Sequence, residues 1–194
     1  MTSRIRSMMG GMMTIALAPF VLTACQTSEP SPPISESLDN SDNPASLIGA
    51  RYPGDGMPSA DMELLAASML PALRGTEGGI THAKQNGQHL VWLQVPAATD
   101  AQGSITEWEI VDVVAVPPAI SQQLEANEST LFIGGRCRRQ GDMSAADIVA
   151  VMARAETEWF ETEQLVWQID AQNARLQEVP AGDIELQCEN PNLG

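Results

Sequence analysis

Apolar residues recur at intervals of three and four in "SADMELLAASMLPALRG", at Met62, Leu65, Ala66, Met69, Leu70 and Leu73. That spacing predicts a helix with one core-facing stripe. Ser59 is placed to cap its start, Asp61 and Glu63 suit its first turn, and Pro71 and Gly75 mark its end. A second stripe, Ile148, Val151, Met152, Ala155 and Trp159, follows Ser144 and Asp147, which resemble a capping box. Between and after these stretches the pattern changes to strands. "HLVWLQVP" (89–96) and "ITEWEIVDVVAVPP" (105–118) are rich in Val, Ile and Trp and end at proline. In the second, Trp108, Ile110, Val114 and Val116 share a phase with Asp112, an acid that a strand near a sheet edge would leave solvated.

"STLFIGGRCRR" (129–139) alternates again, and its Gly134-Gly135 pair predicts a bulge or a close approach by another segment. "LVWQIDAQNARLQEVP" reads as a hairpin turning near 171–173, and "DIELQCE" supplies a last strand. Helix, strands, helix, strands implies an α+β domain: an antiparallel sheet of about five to six strands packed with two amphipathic helices. Its 194 residues suit one such domain with a tail.

The N-terminus carries a different pattern. Arg4 and Arg6 precede an apolar run from Met8 to Leu22, the layout of a secretory signal and short for a membrane span. The run ends in "LTAC", Leu22-Thr23-Ala24-Cys25, which resembles the lipobox of bacterial lipoproteins. The resemblance covers those four residues and implies processing and location only. It implies cleavage before Cys25, a diacylglyceryl group on the Cys25 sulfur and an acyl chain on its amine. Gln26 stands where that family's inner-membrane retention signal has Asp, which implies an outer-membrane address facing the periplasm. Residues 1–24 are then a signal peptide, and 25–50, dominated by Ser, Pro, Asn and Asp, a flexible tether. Residues 51–194 form the domain.

Charge narrows the partners. The chain has 25 Asp plus Glu against 10 Lys plus Arg, a formal charge of −15. Removing residues 1–24 takes Arg4 and Arg6 and no acid, so 8 basic residues face 25 acidic ones. Nucleic acid is a poor partner for such a surface, because phosphate binding draws on Lys and Arg. The expected partners are the membrane, through acylated Cys25, and an envelope protein.

Export also bears on the cysteines. In an oxidising compartment Cys137 and Cys188 are expected to pair, tying the third strand to the C-terminal one. A thiolate activated by Arg136 and Arg138 is the rival reading. No cofactor or metal is expected, since neither cysteine belongs to a C-x-x-C pair. Arg136, Arg138 and Arg139 suit either an external anion or local acids such as Asp142 and Asp147.

No catalytic signature appears, and no catalytic residue is assigned. The two histidines, His82 and His89, fall in or beside the Gly-containing connection "THAKQNGQH" and read as exposed loop residues. Glu107, Glu109, Glu156, Glu158, Glu161 and Glu163 lie near Trp108 or Trp159, but glycoside cleavage requires two carboxyls facing each other, roughly 5–9.5 Å apart. The expected function is a membrane-anchored envelope lipoprotein whose domain is a binding or assembly module. The alternatives are a cell-envelope hydrolase using those carboxylates or a histidine, and an inhibitor of a basic envelope enzyme.

Overall fold

The computed structural model describes residues 43–139, 144–180 and 182–193. Its core is built between antiparallel sheets, and among the described residues it holds one α-helix. The first sheet contains β1 (Arg51–Pro53), β2 (Met62–Leu73), β3 (Thr76–Gln85), β4 (Gln88–Thr99) and β5 (Ile105–Ala115), in the order β1-β5-β4-β3-β2. Helix α1 (Pro118–Glu125) follows, then β6 (Ser129–Phe132), β7 (Cys137–Arg139), β8 (Ile148–Ala153), β9 (Trp159–Phe160), β10 (Glu163–Asp170), β11 (Arg175–Val179) and β12 (Leu186–Glu189). These strands form a second sheet, β11-β10-β8-β6, and a third, β7-β12-β9.

Three apolar clusters fill the spaces that this layering leaves. On β4, Val91 and Leu93 face a cluster shared with Val149, Val151, Leu165 and Trp167 of the second sheet. The alternate residues Leu90 and Trp92 face the other side, under Tyr52, Trp108 and Ile110. Strand β8 does the same one layer on: Ile148, Ala150 and Met152 meet Phe160, Leu186, Cys137 and Cys188 of the third sheet. All three clusters lie between Leu47 and Cys188, so a chain beginning at Gln26 contains every one of them. The fold reaches back into the segment read as tether. A 3₁₀ turn at Pro44–Leu47 precedes Gly49 and Ala50, which exchange backbone hydrogen bonds with Ile110.

The α+β expectation is overturned, because both predicted helices are strands. In β2, register shifts at Leu64/Ala66 and Leu70/Leu73 break the two-residue alternation. Each bulge moves the side-chain phase by one, so apolar positions fall at intervals of three and four without a helix. Pro71 sits in the second irregularity, on a strand at the sheet edge, where no ladder donor is required. Strand β8 fails as a helix for another reason. It lies between β10 and β6 and has apolar cover on both faces, so Ile148 to Met152 are all buried. A strand buried on both faces reads as a continuous apolar run, which periodicity cannot separate from a core helix.

The α-helix that does form was not expected. Its Pro118 occupies the first turn, where proline's missing N–H is no loss, and Ile120 and Leu124 pack on the central cluster. The hairpin read over 165–180 stands as β10 and β11, with Asp170 opposite Arg175.

Candidate functional site

The β3–β4 hairpin brings the two histidines together. Asn86 and Gly87 both have positive φ, 50° and 81°, the conformation of the two-residue turn that matches strand twist. Lys84 is then directly opposite His89, and His82 opposite Val91. His82 and His89 share one face as diagonal neighbours, and their ring centroids are 5.1 Å apart. Both are buried, which corrects the reading of them as exposed loop residues.

The bonding order follows from one carboxylate. Glu125, at the end of α1, lies 2.8 Å from His89 Nε2. A carboxylate accepts, so Nε2 of His89 carries the proton. His89 Nδ1 lies 2.8 Å from His82 Nε2, and with Nε2 of His89 donating to Glu125, a donor at His82 Nε2 completes the chain. Nδ1 of His82 bonds to no described residue, yet it is not sealed from solvent. His82 lines a cleft of about 390 Å³ together with Glu63, Thr130 and Arg154. Lys84 Nζ, 2.8 Å from Glu125, and then His89 hold that carboxyl below its usual range, although it sits at the unfavourable end of a helix for an acid. Burial, reinforced by His89, lowers the His82 pKa to about 4, so His82 is neutral at pH 7 and offers a lone pair.

A second site lies on the outer face of the first sheet. Gln94 is 7% exposed, and its Oε1 accepts hydrogen bonds from Tyr52 Oη, from Thr81 Oγ1 at 3.1 Å and from Trp92 Nε1 at 2.8 Å. An indole N–H can only donate, so the atom it meets is the amide oxygen and the amide orientation is fixed. Burial raises the Tyr52 pKa, which keeps its hydroxyl protonated and donating. The Gln94 amide lies over Gly79, where an added Cβ would come within 2.8 Å of Nε2. Nε2 itself donates to no described residue and is not closed off from solvent. Gln94 opens onto an apolar pocket of about 310 Å³, walled by Tyr52, Met57, Leu64, Met69 and Trp108.

The residues anticipated from sequence are placed as follows. Cys137 and Cys188 form a disulfide between directly paired positions of β7 and β12, which excludes the thiolate reading. The arginines around Cys137 divide. Arg138 donates to Gln187 at 2.9 Å and stacks 3.8 Å over the Trp159 ring, Arg139 pairs with Asp147 at 2.8 Å, and Arg136 is exposed. Gly134 meets Ser68 of β2 so closely that a Cβ there would collide with its side chain, the close approach expected of the Gly-Gly pair. Several of the acids near the tryptophans have partners of their own. Glu109 pairs with Arg51 at 2.9 Å, Glu161 accepts from Gln187, and Glu163 accepts the backbone N–H of Leu186. Cys25 and Asp142 lie outside the described residues.

Sequence reading missed both sites. Asn86-Gly87 between alternating flanks was the available signal for the histidines, since that dipeptide marks a hairpin. Nothing comparable announced Gln94. Comparison with known proteins adds no assignment: no protein family, no curated protein and no solved structure matches the chain significantly.

Proposed function

We propose that the chain is a lipid-anchored protein of the bacterial cell envelope, held at the outer membrane through Cys25, whose domain binds a ligand without transforming it. The lipobox-like Leu22–Cys25 supports the anchor. One observation carries the choice of binding over hydrolysis: His89 Nδ1 is occupied by His82 Nε2 at 2.8 Å. In a nucleophile–histidine–acid relay that nitrogen must face the hydroxyl it deprotonates. Here the acid side of such a relay is built, through Glu125, and the nucleophile's place is taken by a second imidazole. The carboxylates near Trp108 and Trp159 that hold Arg51, Gln187 and the Leu186 N–H support the same reading.

Labelling cells with palmitate and fractionating them tests the anchor. Wild-type protein takes up label and sediments with membranes, whereas Cys25→Ala does neither. Unlabelled, soluble wild-type protein would contradict it.

A further inference from the structure

The geometry points to the Gln94 pocket as a site for a small, neutral, apolar molecule that ends in a carbonyl group, such as an amide, ketone or lactone. The inference rests on reading the domain as a binding module and names what it binds. A buried amide whose oxygen accepts three hydrogen bonds and whose NH₂ faces an open pocket is a directed donor. Most of the wall is apolar. Tyr52 and Thr81 already donate to Gln94 Oε1, and Asp55 and Ser68 are the other polar side chains that line it, so the buried Gln94 amide is the donor placed to meet a ligand's carbonyl. A pocket with predominantly apolar walls and a few placed polar groups is the usual form of a small-molecule site, and about 310 Å³ suits a small one.

The charge on the ligand follows from what surrounds the donor. A carboxylate taken into apolar surroundings requires a charged partner. The pocket wall contributes no cation, Asp55 is one of its lining residues, and the chain carries −15 overall. A ligand ending in an ammonium or amine would set donor against donor at Nε2. A neutral acceptor satisfies the amide without either cost. At the mouth, Leu64 and Met69 are 53% and 54% exposed on the edge strand β2, apolar surface that a ligand's body would cover.

The test uses ¹⁵N-labelled chain from Gln26 to Gly194 and three probes of equal length: octanamide, octanoate and octylammonium. Octanamide is expected to move the Gln94 side-chain NH₂ resonances saturably, and octanoate to bind at least tenfold more weakly. Gln94→Leu should weaken octanamide at least fivefold. Because that change also removes the acceptor of Tyr52 and Thr81 and leaves Trp92 only Tyr52 Oη at 3.2 Å, Met69→Glu at the exposed mouth serves as a second variant, and it should weaken octanamide comparably with the fold intact. If octanoate or octylammonium binds as well as octanamide or better, the ligand class is wrong and the binding-module reading stands. If none of the three moves the pocket resonances of the folded protein, the pocket assignment falls, while the binding-module reading, which rests on the occupied His89 Nδ1, stands.

Discussion

The carboxylate of Asp112 accepts the backbone N–H of Leu176 at 2.6 Å, joining the first sheet to the second. The bond exists because β5 bulges: Ile110 pairs with Gln94 and Asp112 with Leu93, leaving Val111 as an extra residue. Trp108 and Ile110 therefore face the outer cluster, while Val111 and Val114 face the central one, and a single unbroken phase for 108–116 does not survive. Asp112 is half-buried and partnered, where a solvated acid was expected. Leu176 lies on the edge strand β11, whose one strand partner among the described residues is β10. Asp112 satisfies a donor that the ladder does not.

Asp112→Ala is accordingly expected to cost about 1.5–3 kcal/mol, the range for a hydrogen bond to a charged group. Asp112→Asn, which keeps an acceptor oxygen, should recover most of it. Urea unfolding measures both, and a loss under about 0.5 kcal/mol for the alanine variant would mean the bond contributes little.

The disulfide closes a segment of 51 residues, and on chain-entropy grounds it contributes about 2–4 kcal/mol. Both cysteines are buried, so native protein should show no alkylatable thiol from either. Cys188→Ala should lower Tm by roughly 5–15 °C for a domain of this size. An unchanged Tm, or ready alkylation of the native protein, would contradict this.

Acid should weaken the fold through His82. Its pKa falls from 6.5 to about 4 in the folded state, so below 6.5 the unfolded chain binds a proton that the folded one refuses. The histidine's contribution is fully present above pH 6.5 and is lost as pH falls toward 4, a change of about 3 kcal/mol. His82→Gln, which can still donate to His89, should flatten the stability profile between those values. If the variant and wild type lose stability in parallel across that window, His82 is not the group responsible.

How much of this was legible in the sequence depended on whether local pattern and tertiary context agreed. The β10–β11 hairpin was readable because polar turn residues separate two alternating runs, and the disulfide because the lipobox-like motif led to the expectation of an oxidising compartment for two cysteines. Strands β2 and β8 were not. Bulges in β2 and two-sided burial of β8 each produce a helix-like spacing, and both arise from neighbouring strands that local sequence does not describe. The sites were hidden for the same reason. Gln94 acquires its role from Tyr52 and Thr81, which are distant in sequence, and His89 from Glu125 on a helix that was not foreseen.

The central claim is that the domain holds a ligand without chemical change. Octanamide incubated with the chain from Gln26 to Gly194 and then released and analysed by mass spectrometry tests it most directly. Recovery of octanamide unchanged, bound one molecule per chain before release, is the expected result. Protein-dependent conversion of octanamide to octanoate would show cleavage of the amide and contradict the account.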